Sequence, residues 1–77
     1  MPRYFFHILH PDISPIPDRE GADYDGLDAA KQEAVASVRD LVAEAVKYGT
    51  KVAGLGIEIW DDAGQVLKVV HAKDAFS

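Results

Sequence analysis

The sequence predicts an α+β domain in β-β-α-β-β order, with an antiparallel sheet of three to four strands and one long helix packed on one face. Three observations predict it. An aromatic run, RYFFHIL, opens the chain at Arg3 to Leu9. A stretch free of glycine and proline, Ala29 to Tyr48, repeats its apolar residues at helical spacing. The segment GIEIWDDAGQVLKVV then reads as two strands joined by a tight turn. At 77 residues the chain makes a single domain, residues 1–77, because that length is below the size at which a second core forms.

The first strand, residues 3–10, is rich in aromatics that favour extended backbone. Tyr4, Phe5, Phe6, Ile8 and Leu9 leave it almost no polar alternation, although a strand covered on one side alternates apolar with polar. Pro11, Pro15 and Pro17 follow. Proline has no amide to give to a ladder, so pairing is interrupted and the chain turns. The acidic segment DREGADYDG, residues 18–26, is turn-forming and holds a short second strand near Ala22 to Tyr24, placed to pair back onto the first.

The helix comes next. Asp28 reads as its N-cap, with a carboxylate able to accept from free amides of the first turn. Ala34, Val38, Leu41, Ala45 and Tyr48 recur at steps of four and three, and Val35, Val42 and Val46 widen that stripe. Glu33, Ser37, Arg39, Asp40, Glu44 and Lys47 fall mainly opposite. Gly49 fits the stop just past the end. A helix of this length spans about 30 Å and a six-residue strand roughly 20 Å, so the last turn is expected to overhang the sheet.

In the hairpin, Asp61-Asp62-Ala63-Gly64 fits a type I turn, with Gly64 at the left-handed position of a bulge. Asp61 then faces Gln65, Trp60 faces Val66, Ile59 faces Leu67, Glu58 faces Lys68 and Ile57 faces Val69. In this register Ile57, Ile59, Leu67 and Val69 form the core face together with Tyr4, Phe6 and Ile8. The opposite face takes Phe5, His7 and Leu9 from the first strand and Trp60, Val66 and Val70 from the hairpin. One helix covers one face only, and no second helix is expected. The first strand is therefore apolar twice because one side makes the core and the other an interaction surface, which we expect to be Phe5, His7, Leu9, Trp60, Val66 and Val70 in a homodimer or other homo-oligomer. The competing expectation is that residues 11–24 fold over that side.

Thirteen acids against eight bases leave a net charge of −5. Phosphate-backbone binding needs clustered Lys and Arg, and the bases here are scattered, so the balance argues against nucleic acid. No apolar run approaches the ~20 residues of a membrane span and no signal-peptide pattern opens the chain, so the expected location is the cytoplasm. Cysteine is absent, which removes disulfides and thiolate metal sites. His7 and His10 are three apart on a strand and point to opposite faces; a His7/His71 pair lacks an evident third ligand, so no metal and no cofactor are expected. The acids Asp12, Asp18, Glu20, Asp23, Asp25 and Asp28 do not follow the spacing of a calcium-binding helix-loop-helix and read as a solvated loop plus a helix cap. Ser14, Ser37 and Ser77 lack a nucleophile context, and no phosphate loop or dinucleotide fingerprint occurs, so the expectation is a protein without catalytic residues. Two alternatives stay open. One is a regulatory, antitoxin-like or nucleic-acid-associated protein, for which Arg3, Lys51, Lys68 and Lys73 would gather on one surface. The other is a metal- or small-ligand-binding domain built on His7 and His71 with an acid.

The opening M-P-R-Y-F-F-H, the D-x-E-G at Asp18 to Gly21, the L-D-A-A at Leu27 to Ala30 and the D-x-x-G at Asp61 to Gly64 together resemble a family of short bacterial proteins that form a domain of unknown function. The resemblance covers nearly the whole chain. It departs at HPDISPIP, where the family pattern implies a shorter turn containing glycine. It implies a small bacterial cytoplasmic protein and carries no activity and no catalytic residues.

Overall fold

A computed structural model of the chain describes residues 2–76; Met1, which opens the first motif, and Ser77 lie outside the described residues. The element order is β1 (Arg3–Leu9), β2 (Ala22–Asp23), α1 (Leu27–Tyr48), β3 (Gly56–Trp60), β4 (Val66–His71) and α2 (Ala72–Ala75). The sheet is antiparallel in the order β2-β1-β3-β4, and α1 lies across one face of it. This is the predicted α+β architecture. Among the described residues no helix is long and apolar enough to cross a membrane.

Helix α1 begins two residues before the expected start. Gly26 is the N-cap, the first helical bond runs from the Ala30 amide to the Gly26 carbonyl at 3.1 Å, and no side chain caps the end. Asp28 is therefore not the cap; it sits within the first turn, where its charge still faces the positive end of the helix dipole. Gly49 closes the other end in the left-handed conformation, with its amide on Val46 at 3.2 Å. Ala30, Ala34, Val38 and Ala45 are buried along one stripe, and Val35, Leu41 and Val42 flank it. The small alanines let the helix approach the sheet closely. Val46 and Tyr48 are exposed, as the overhang of a 22-residue helix requires.

The hairpin turn forms as read. Gly64 has φ 81°, the Asp61 amide reaches the Gln65 carbonyl at 2.9 Å, and the Asp61 carboxylate accepts from the amides of Ala63 and Gln65. Trp60 does face Val66. Beyond that pair the predicted register fails by one residue. A bulge leaves Leu67 unpaired, so Ile59 faces Lys68, Glu58 faces Val69 and Ile57 faces Val70. Val70 is consequently 1% exposed in the core, not on the outer face, and Val69 takes the outer position assigned to it. Two features make this register favourable. Lys68 lies on the outermost strand, where its stem can run along apolar surface while its ammonium stays in water. Val70 joins Val38 and Ala75 in one buried cluster, so the turn that follows β4 is anchored too.

That turn is α2, a second helix that the sequence reading did not expect. His71 is its N-cap: its side chain accepts from the amide of Asp74, and Asp74 Oδ2 accepts from the His71 amide at 3.1 Å. Arg39 Nε donates to the Ala75 carbonyl at 2.7 Å, and its guanidinium lies 5.9 Å from the centre of the Phe76 ring. Ala75 is fully buried against α1. The helix thus thickens the side already covered by α1 and leaves the outer face as it was.

Residues 10–21 run back along the edge of β1 as a strap. Ile8 and Ile16 exchange two backbone hydrogen bonds, at 2.9 and 2.8 Å. Pro15 and Pro17 flank Ile16, so the pairing cannot extend beyond this single bridge.

Candidate functional site

The outer face of the sheet is built by the residues of β1, β3 and β4 that point away from α1. Register places Phe5 beside Trp60, His7 beside Glu58 and Leu9 beside Gly56, with Val66 and Val69 continuing the same side on β4. Five of the expected surface residues, Phe5, His7, Leu9, Trp60 and Val66, therefore share one face; Val70 does not. Among the described residues no helix lies on this face. Phe5, His7, Leu9, Trp60 and Val69 are half-buried and Val66 is exposed. The Trp60 indole stands edge-on to the His7 ring, with centroids 5.1 Å apart, and its Nε1–H donates to Glu58 Oε1 at 3.2 Å. Trp60 is therefore held in place while part of its ring stays open to solvent. Gly56 has no side chain because the backbone of β4 is close: a Cβ there would meet the Val70 carbonyl oxygen at 2.6 Å.

The strap reaches this face at its upper end only, through Asp18. One carboxylate oxygen accepts from the Phe6 amide at 3.1 Å; the other accepts from the amides of Glu20 and Gly21 at 3.2 and 3.0 Å. The Asp18 amide donates to His7 Nδ1 at 2.9 Å. Asp18 thereby stands in for a strand carbonyl that residues 17–21 do not supply to β1. Gly21, at φ 69°, packs its backbone on the Phe5 ring. Partial burial acts to raise the Asp18 pKa, but the amides of Gly21, Phe6 and Glu20, followed by the charge of His7, outweigh it and hold the carboxyl below its ordinary value of 3.8. Arg3 Nη1 adds a bond to the Glu20 carbonyl at 2.7 Å and pairs through Nε with Asp23 at 3.4 Å. The expectation that residues 11–24 fold over this face is thus met in part: the strap touches Phe5 and His7, while its body seals the edge of β1.

On the helix side, Tyr24 stacks on Phe6 with centroids 5.5 Å apart and tilts against Tyr4 at 6.1 Å. Burial first, then the charges of Glu33 and Asp18, raise its phenol above the ordinary value of 10.0, so Tyr24 stays neutral and serves as a lid on the core.

The remaining candidates are dispersed. His71 lies on β4 opposite Gly56, and among the described residues no three His, Cys, Asp or Glu side chains are grouped to hold a metal ion. Arg3 is paired with Asp23 on one edge of the sheet, Lys51 with Asp12 at 3.9 Å, and Lys68 lies on β4 at the opposite edge.

A feature that sequence reasoning missed is an open cleft of about 640 Å³ at the end of the sheet, where the loop after α1 meets the C-terminal turn. Val52, Leu55, Ala72 and Phe76 form its apolar walls, and His71 and Lys73 are its ionisable lining residues. Leu55 is 2% exposed at the base and Phe76 is 61% exposed. The cleft exists because α2 folds, and the signal for α2 was the H-x-x-D spacing of His71 and Asp74.

The fold and the two surfaces together define a small α+β domain with one long helix packed on an antiparallel sheet. The chain belongs to the family described as a domain of unknown function (DUF6894), whose pattern matches residues 3–73. No curated protein and no solved structure shows significant similarity to it.

Proposed function

We propose that this domain is a non-enzymatic interaction module that binds a second copy of itself through the outer face of the sheet. The observation that carries the reading is the half-buried Trp60, fixed by Glu58 and His7 at the hairpin end of a face that also presents Phe5, Leu9, Val66 and Val69. Aromatic side chains held rigid and left half-open are the typical anchors of protein interfaces. Charge favours a copy of this chain as the partner. Each molecule carries −5, yet the strands present a single acid on this face, Glu58 beside His7, and the Asp18 carboxylate at its margin is taken up by backbone amides, so two copies repel weakly there.

Size sets the expected strength. Three strands at about 4.8 Å spacing and roughly 18 Å of length cover on the order of 260 Å² in plan. Even after allowing for side-chain relief, two such faces fall below the ~1,200 Å² of a standard stable interface. The dimer is therefore expected to be reversible and to dissociate on dilution. Light scattering after size exclusion, across a dilution series, tests this. Mass should climb toward twice 8.4 kDa as concentration rises, and Trp60→Asp should remain folded and monomeric. A wild-type monomer at every concentration, or a Trp60→Asp variant with wild-type mass, rejects the proposal.

A further inference from the structure

We infer that the cleft between the loop at residues 52–55 and the C-terminal turn is a binding site for a small apolar carboxylate. It is independent of the sheet face, since it lies at the end of the sheet and not over it. Its volume of about 640 Å³ falls within the usual range for small-molecule sites. Its walls sort by chemistry. Val52, Leu55, Ala72 and Phe76 offer hydrocarbon with no hydrogen-bonding side chain, so the body of the ligand must be apolar. The groups at its rim are Lys73 and His71, and no acid lines the cleft.

That distribution runs against the rest of the molecule. A chain with thirteen acids and eight bases repels anions over most of its surface, yet the ionisable groups of this cleft are both of the cationic type. Neither ion pair among the described residues, Arg3–Asp23 or Lys51–Asp12, engages Lys73. The ring of His71 uses one nitrogen to accept the amide of Asp74, which leaves its second nitrogen as an N–H donor. The nearby carboxylate of Asp74 is turned to the amide of His71. A carboxylate held by an ammonium and an imidazole N–H, with a hydrocarbon chain against Leu55 and Phe76, satisfies every group in the cleft. An amine would meet Lys73 with like charge, and an alcohol would leave that ammonium unpaired.

Decanoate, kept below its micellar concentration, is the probe, with decanol and decylamine as controls. In a titration of the full chain followed by amide NMR, saturable shifts are expected at Gly54, Leu55, Ala72 and Phe76. Decylamine should bind at least tenfold more weakly, and Lys73→Glu should weaken decanoate binding at least tenfold while leaving the rest of the amide spectrum unchanged. His71→Ala disturbs the start of α2, so Lys73→Glu is the decisive variant. Absence of saturable shifts, equal binding of all three probes, or shifts centred on Trp60 instead of Leu55 would overturn the inference.

Discussion

Replacing Asp18 by alanine should cost about 2–3 kcal/mol of stability, far more than an acid on a partly exposed strap ordinarily contributes. The carboxylate accepts from three backbone amides. Hydrogen bonds to a charged acceptor contribute about 1.5–3 kcal/mol each when shielded, and much less where water takes over. The Glu20 amide is exposed and regains water on mutation, so it counts for little. The amides of Phe6 and Gly21 are part-buried, and at roughly 1 kcal/mol apiece they supply most of the sum. A domain of this length has ~4–12 kcal/mol in total, so the loss is a substantial share. Asp18→Asn keeps an acceptor oxygen and should lose about half as much. Because the folded carboxyl titrates below the ordinary 3.8, Asp18 stabilises the fold fully above that pH, and its contribution drains away as pH falls through the lower folded value. The gap between wild type and Asp18→Asn should therefore narrow in acid. Urea unfolding followed by circular dichroism measures all three chains, and hydrogen exchange at Phe6 reports the strap directly. If Asp18→Ala lies within about 0.5 kcal/mol of wild type, in the scatter of ordinary surface changes, the clasp does not hold the strap.

Two further outcomes test the geometry. Val70→Ala should destabilise by about 1–3 kcal/mol and Val69→Ala by under about 0.5 kcal/mol, as chemical denaturation would show; the reverse order would restore the simple hairpin register. Gly21→Ala and Gly49→Ala share the same φ of 69°, but only at Gly21 would the new Cβ meet neighbours, the Phe5 ring and the Tyr4 carbonyl oxygen, both at 2.8 Å. Thermal melts should rank Gly21→Ala well below Gly49→Ala, the latter losing about 1 kcal/mol from backbone strain alone; equal losses would mean that the strap does not press on Phe5.

The elements that were legible in the sequence are those specified by neighbours along the chain. The helical stripe from Ala34 to Ala45, the stop at Gly49 and the turn at Asp61 to Gly64 each follow from a local pattern, and each formed. The two faces of β1 were legible for the same reason, since alternation alone sorts Tyr4, Phe6 and Ile8 from Phe5, His7 and Leu9. What was not legible depends on distant partners. In the run Val66-Leu67-Lys68-Val69-Val70, pattern favours turning Leu67 and Val69 inward, because the shifted register sets Lys68 opposite Ile59. The opposite choice is made by packing with Val38 and Ala75. Asp18 looked like one acid among many because its acceptor role depends on Phe6 and His7, more than ten residues away. Helix α2 is a single turn, too short to show a periodicity, and the cleft beside it was hidden with it.

The strap also decides how this protein can fail. A fibril grows by adding strands, so each molecule must offer two unpaired borders. Here the Ile8–Ile16 bridge and the Asp18 carboxylate occupy the border of β1, and the prolines of the strap give nothing further to bond. Of the two edge strands, β2 is only two residues long and β4 carries Lys68 and the bulge at Leu67, so both are poor templates. The short β2, the broken edge of β4 and the strap together oppose strand-to-strand misassembly, and opening the strap would offer the long border of β1 to a further strand.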